Sequence, residues 1–487
     1  MRKIAIIPID NRPVTYLLPK QIGEIDRNTE ILLPPRNLLG GLRTQADIYG
    51  ILDWLEALEE VEILVISLDT IAYGGLIQSR FCNNTTKQIM TRLKKLKTII
   101  SEKNIKVYAM SSIMRISNNN VNEEEKPYWA MFGRRIFEYS FAAHKAEETG
   151  LKEDLKRLKA AEREIPEEIL SDYLETRKRN FEINLKYLDW VKSGIIHTLV
   201  YSKDDCAQYG LNVREARQLE DLTLDNDEIF VKTGADEIPL TLLCRAMNSE
   251  RERKIKVLPV FTCIEGTGEI SNYEDITVFH SVKGQIELAG GEMIQDRISL
   301  SDVKHIDVEE KYGADLVLVV NNFEGKQGEL VLGTEADKAG EAFTMPPIPF
   351  FVADIKNANG GDNYFVESLL KYLPSEKFFG YAGWNTTGNS LGSAIACAFV
   401  RFNSERINRD IFNQLQATRF LDDWSYQANV RWELKEENKS LDLTVLKERM
   451  GVYEERVKRL FRIKDDISYG LPWNRSFEIE VEYNKLR

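Results

Sequence analysis

Five apolar runs in this chain stop at carboxylates. Residues 4–9 run into Asp10, 63–68 into Asp69, 198–202 into the pair Asp204-Asp205, 229–233 into Asp236-Glu237 and 350–353 into Asp354. In parallel α/β sheets and barrels the strand fixes a position rigidly, and the loop at its carboxyl edge presents the reacting side chain. Repeated acids at such ends predict an acidic pocket, suited to a neutral polyol, a sugar or a metal-bound substrate. Asp204-Asp205 is the foremost catalytic candidate. Two carboxylates held close repel, so one keeps its proton near neutral pH and can serve as a general acid beside an ionised partner. Successive side chains on a strand point to opposite faces, so the pair serves one site only where the chain turns, and Tyr209-Gly210 offers that turn. In the competing reading one Asp caps the next helix and the other pairs with Lys203.

The other candidates are substrate-binding residues. Gly234 permits a sharp turn ahead of Asp236 and Glu237, which then lie beside Asp204-Asp205 in a parallel sheet. Asp236 could instead cap a helix over 239–247, with Pro239 in its first turn. Asp10 leads into Asn11, Arg12 and Pro13, and Arg12 can bridge carboxylates or bind an anionic group. Asp69 is followed by Tyr73, Gly74 and Gly75, and Arg115 follows the fourth apolar run. Asp354 opens a stretch with Asn357, Asn359 and Asp362 whose Asx and Gly density also suits an ordinary turn. The string from Gly380 to Asn389 sets Gly380, Gly383 and Gly388 around Trp384 and Asn385. Glycines let the backbone approach a ligand closely. Trp384 offers a flat face for a sugar ring, and Asn385 and Asn389 offer amide hydrogen bonds. The alternative puts Trp384 in the core, with the glycines only turning the chain.

These residues need strands to hold them. Strands are predicted at 3–9, 30–33, 62–68, 106–112, 198–202 and 228–232, with helices at 46–58, 86–101 and 162–191 between them. Continuous apolar strands separated by amphipathic helices mean a parallel sheet, either a barrel or doubly wound. We therefore expect an α/β protein. Its N-terminal domain, 1–253, is a parallel-sheet, TIM-barrel-like unit, complete or incomplete, with a helical insertion at about 120–192. That insertion either caps a pocket or is a packing excursion. A second unit, 254–403, is flavodoxin-like in spacing, with strands near 255–261, 316–320, 350–353 and 378–381. It could also finish the first barrel. Residues 404–487 form a helical, charged C-terminal region.

Composition narrows the partners. The 487 residues exceed what one core usually organises. A net charge of −12 argues against a nucleic-acid partner, because phosphate binding needs a basic face. The run at 378–400 carries no charge but too much polarity for a membrane span, and the N-terminus has no signal-peptide pattern. Five cysteines without metal spacing predict free thiols and a cytoplasmic location. Cys206 as a nucleophile is disfavoured, since neighbouring carboxylates suppress the thiolate. Four dispersed histidines and the absence of GxGxxG, P-loop, GxSxG and HExxH patterns give no support to dinucleotide, nucleotide, serine-hydrolase or zincin chemistry. No cofactor is required, although carboxylates alone can hold magnesium, calcium or manganese.

The opening Pro8-Ile9-Asp10-Asn11-Arg12-Pro13, the Asp204-Asp205 strand end and the loop from Gly380 to Asn389 together resemble a bacterial family of about this length, catalogued as a domain of unknown function. Asn11 departs from the acid expected there in relatives. A weaker, site-level similarity is to O-GlcNAcase and hyaluronidase-like glycoside hydrolases, which use an adjacent Asp pair. That resemblance implies that Asp204 orients a substrate acetamide, Asp205 is the acid/base, and Trp384 and Asn385 line the pocket.

The resulting expectation is a glycoside hydrolase, exo-acting on N-acetylhexosaminides, with a small-molecule or oligosaccharide substrate. Asp204 and Asp205 would be catalytic, and Asp10, Arg12, Asp69, Tyr73, Arg115, Asp236, Glu237, Asp354, Asn357, Trp384, Asn385 and Asn389 would bind substrate. The alternatives are a divalent-metal hydrolase or lyase using the same acids, and a non-catalytic sugar- or metabolite-binding protein.

Overall fold

A computed structural model describes residues 1–203, 207–336, 341–436 and 442–485. Asp204, Asp205 and Cys206 lie outside the described residues.

The first half builds one six-stranded parallel sheet from β1 (Arg2–Ile7), β2 (Thr29–Leu32), β3 (Ile63–Ser67), β4 (Lys106–Ile113), β5 (Thr198–Lys203) and β6 (Ile229–Thr233). Its spatial order is β2-β1-β3-β4-β5-β6, and every pairing is parallel. The central strands are buried on both faces, which is why they read as unbroken apolar runs. Of the two forms considered, barrel and doubly wound, the sheet takes the second: β2 and β6 are its edges, and the order is that of a flavodoxin-like sheet with one added strand.

The second half does not close the first sheet. It makes its own, from β7 (Lys256–Phe261), β8 (Glu292–Met293), β9 (Ile298–Ser299), β10 (Leu316–Asn321), β12 (Phe350–Asp354) and β14 (Phe378–Ala382), with β11 (Gly328–Glu329) and β13 (Asn357–Ala358) paired apart from it. The order β14-β12-β10-β7, with β8 and β9 beside β7, repeats the same winding. The chain therefore reverses its strand order twice, once at β1 and once at β7. In open α/β sheets, ligands bind outside the carboxyl ends at such a reversal.

Two helices of the first half pack against the second sheet. Val14, Leu18 and Ile22 of the helix Pro13–Gly23 join Leu240 and Cys244 of the helix Ile238–Asn248 in packing with the second sheet. After β4 come the helices Trp129–Thr149, Lys152–Arg163 and Glu167–Lys192, the expected insertion, with a small core of their own around Trp129, Ile136 and Tyr173. The C-terminal region is helical through Arg409–Arg419, a π-helical stretch Phe420–Val430 and Leu443–Phe461. It ends in an antiparallel hairpin, β15 (Asp466–Gly470) with β16 (Glu480–Asn484). Among the described residues no helix is long and apolar enough to cross a membrane. The run at 378–400 is β14, a loop and most of the buried helix Thr387–Asn403.

Candidate functional site

A cavity of about 340 Å³ lies between the carboxyl edges of the two sheets. The loop after β1 gives it Arg12, and the chain after β6 gives Thr233 through Asp236. The loops after β3 and β4 add Arg80, Arg115 and Glu124. From the other sheet come Tyr273 and Glu274 after β7, Glu329 after β10, Asn359 after β12, and Asn385 with Asn389 after β14. The turn of the C-terminal hairpin covers them with Trp473, Arg475 and Phe477.

On the first wall Arg12 is a clamp. Its Nε donates to Asp10 Oδ2 at 2.9 Å, and its terminal nitrogens reach both oxygens of Asp236, at 2.6 and 3.3 Å. Glu478 of the hairpin stands 3.7 Å away. Three carboxyls around one guanidinium is an excess of negative charge. Burial pushes Glu478, the most distant of them, up to about 8, so it holds a proton at neutral pH. Asp10 and Asp236 remain the direct partners of Arg12. Burial also pushes Asp236 upward, and Arg12 pulls it back. The Arg12 guanidinium lies 5.0 Å from the centroid of Trp473, whose Nε1 donates to Asn11 Oδ1 at 2.8 Å. A second cluster gathers around Glu124. Arg80 at 3.2 Å and Arg115 at 2.9 Å reach one oxygen, and Arg475 at 2.9 Å the other. Although burial opposes it, these three cations hold Glu124 well below the usual carboxylate range.

The second wall differs. Glu274 is buried, and its Oε1 accepts the Gly388 N–H at 3.0 Å, at the start of the helix Thr387–Asn403. Burial raises this carboxyl from 4.5 to about 7 despite that bond, with Asp275 adding repulsion. A carboxyl that is half protonated at neutral pH, facing a cavity, is the state a general acid needs. Asp275 is turned away and tied to Lys203 at 2.6 Å and Thr233 at 2.7 Å, which fixes this loop against the end of the first sheet. Glu329 accepts from Tyr273 Oη and from Asn359 Nδ2, each at 2.8 Å. Asn359 and Asn385 both take left-handed backbone, at φ 61° and 58°, a region Asn tolerates better than most residues. The Asn359 N–H donates to the Asn385 carbonyl at 2.7 Å, locking the two loops together. Asn389 donates from Nδ2 to Thr386 at 3.1 Å, while its Oδ1 is buried with no partner among the described residues.

Of the substrate-binding residues expected from sequence, Arg12, Arg115, Asp236, Asn385 and Asn389 line the cavity. The others stand behind it. Asp10 holds Arg12. Glu237 is buried against Gly388 and Gly392, where any side chain would collide with it. Asp69 accepts from the Ser112 N–H and hydroxyl at 2.8 and 2.9 Å, and burial pushes it up to about 7. Tyr73 is buried beside it. Asp354 is bound by Asn321, the Asp362 N–H and Tyr381, and Asn357 accepts the Ala336 N–H. Trp384 is no platform. Its ring is 2% exposed, sits in the core and meets Phe477 edge-on at 5.6 Å. The left-handed turn at Asn385 sends the asparagine outward and leaves the tryptophan in. The cavity's aromatic faces are Trp473 and Phe477 instead. Sequence reasoning missed these two, and also Tyr273, Glu274, Glu329 and Arg475. Glu274-Asp275 is another adjacent acid pair in a polar turn, and Pro472-Trp473-Asn474-Arg475 sets an aromatic and a cation in a tight turn. Both signals were available. Among the described residues no group of three or more His, Cys, Asp or Glu is arranged to hold a metal ion.

Two flavodoxin-like sheets with facing carboxyl edges and a carboxyl-lined cavity between them define an α/β protein with an inter-sheet ligand site. Its chain belongs to the family described as "Protein of unknown function (DUF4127)", whose model matches residues 4–482. No curated protein matches it.

Proposed function

We propose that this protein is a glycosidase-type hydrolase acting on a small sugar substrate in the inter-sheet cavity. The observation that carries the reading is Glu274, a buried carboxyl lining the cavity and kept partly protonated near pH 7, so that it has a proton to donate. Around it stand groups suited to hydroxyls: Asn359, Asn385, Asn389, Thr233 and Thr386. Trp473 and Phe477 supply apolar ring faces, the usual complement to amide hydrogen bonds in a polar-ligand pocket. Glu274 would protonate the leaving oxygen. A second carboxylate would act on the opposite side of the sugar, as nucleophile, as base, or by orienting a substrate acetamide. Asp204 and Asp205, which follow β5 beside the strand β6 that leads into Asp236, are the candidates for that role.

Incubation with a panel of nitrophenyl glycosides, N-acetylhexosaminides included, tests the reading. Glu274→Gln should abolish cleavage of poor leaving groups while sparing dinitrophenyl substrates, which leave without a proton. Equal loss on both, or no hydrolysis of any member, overturns it. A metal-dependent hydrolase using Asp204 and Asp205 as ligands is the second reading. It predicts loss of activity on chelation and recovery with a divalent ion.

A further inference from the structure

We infer that the ligand of this cavity carries an oxyanion, a carboxylate or a phosphate, and that Arg431 and Arg475 bind it beside Phe477. This deepens the hydrolase reading above by naming a substrate class: an acidic rather than a neutral sugar. The argument is one of unmatched charge. Five arginines line the cavity: Arg12, Arg80, Arg115, Arg431 and Arg475. Arg12 is neutralised by Asp10 and Asp236. Arg80 and Arg115 meet Glu124 and Glu125. Arg475 shares Glu124 with them, and its Nε–H is buried without a partner among the described residues. Arg431 has no carboxylate within ion-pair distance among the described residues. Its hydrogen bond goes to Gln427 Oε1 at 2.7 Å. Burial weakens its hold on its proton, the mark of a cation in poorly hydrated surroundings.

Arg431, which has no ion-pair partner among the described residues, and Arg475, whose Nε–H is left over from its pair with Glu124, lie against one ring. The guanidinium carbons of Arg475 and Arg431 stand 5.7 and 6.0 Å from the centroid of Phe477. Planar guanidinium forks held on an aromatic face suit bidentate contact with carboxylate or phosphate oxygens. The seat also orients the ligand. Its cations come from the C-terminal region, and the carboxyls Glu274 and Glu329 come from the loops after β7 and β10. An acidic group on the arginines leaves the rest of the sugar toward those carboxyls and the unpartnered Asn389 Oδ1.

Thermal melting in millimolar sugar tests this without any need for turnover. The panel is glucuronic and galacturonic acids, glucose 6-phosphate and galactose 6-phosphate, and the neutral parents glucose and galactose. We expect at least one acidic member to raise Tm by about 3 °C or more over its parent, by mass action on the folded state. The uronates and the sugar phosphates form separate arms, and the arm that responds names the anion. The rise should vanish in Arg431→Met and persist in part in Arg431→Lys. Arg475→Met serves the same purpose should Arg431→Met melt early without ligand. Acidic sugars that stabilise no more than their parents overturn the proposal, as does a rise that survives in both Met variants. The two readings fail separately. A chain that binds acidic sugars but cleaves no glycoside loses only the hydrolase reading. One that cleaves neutral glycosides equally well in Arg431→Met loses only this one.

Discussion

The two walls of the cavity are made of similar residue types and do different things. On the first-sheet wall the charges are satisfied: Arg12 closes on Asp10 and Asp236, and Arg80, Arg115 and Arg475 close on Glu124. On the second-sheet wall the Gly388 N–H and the charge of Lys203 only partly offset the burial of Glu274, and Asn389 holds a buried oxygen without a partner among the described residues. A buried ion pair contributes little net stability but is costly to break, because one charge is then left in low dielectric. A buried carboxyl only partly compensated instead changes its proton affinity. The first wall therefore acts as a brace, and in the proposed reading the second offers a ligand bonding capacity and a transferable proton.

Substitutions can break or sharpen that contrast. The largest effect is expected on the second wall: Glu274→Gln should lower kcat on substrates with poor leaving groups by about 10²–10⁴-fold, the usual range for general acid catalysis. Stability should hold, since an amide replaces a carboxyl that is already about half protonated near neutral pH. Arg12→Met should reverse the pattern, costing about 3–5 kcal/mol in urea unfolding by stranding Asp10 and Asp236. If it unfolds no more easily than the parent, the first wall is not a brace. The pH dependence comes next. Glu274 rises from 4.5, and Asp69 from 3.8, each to about 7 on folding. A raised carboxyl stabilises the fold fully below its unfolded pKa, and that stability is lost as pH rises through the folded value. Stability should thus fall between about pH 4 and 7.5, by about 1–3 kcal/mol per group, and Glu274→Gln should flatten the slope. The smallest effect belongs to Asn389→Ala, which should weaken substrate binding by about 1 kcal/mol, read as a several-fold rise in KM with kcat nearly unchanged. A fall in kcat at constant KM would move Asn389 from binding to chemistry.

Much of this frame was legible in the residues, for a definite reason. Strands of a parallel sheet are buried on both faces, so β1, β3, β4, β5, β10 and β12 announce themselves as apolar runs, and the acids after them mark the carboxyl edge. Whether those strands close or stay open depends on which of them pair, and no single run carries that information. The site was legible where it follows a strand directly, as with Arg12 and Asp236. Glu274 lies well beyond Phe261, past a 3₁₀ turn over Glu265–Gly268, so no strand end points to it. Trp473, Arg475 and Phe477 reach the cavity only because a distant hairpin folds back over it. Trp384 and Asn385 are neighbours in a loop, yet Trp384 is buried in the core while Asn385, at φ 58°, lines the cavity.

That hairpin has a consequence for biosynthesis. Both sheets are complete once β14 has been made, yet Arg36 must still meet Glu480, and Asn11 must still meet Trp473. A nascent chain halted before residue 466 would hold a folded scaffold with its ligand chamber unroofed. The roof over the cavity is therefore added only when the hairpin is made, as Trp473 meets Asn11 in the loop after β1 and Glu480 meets Arg36.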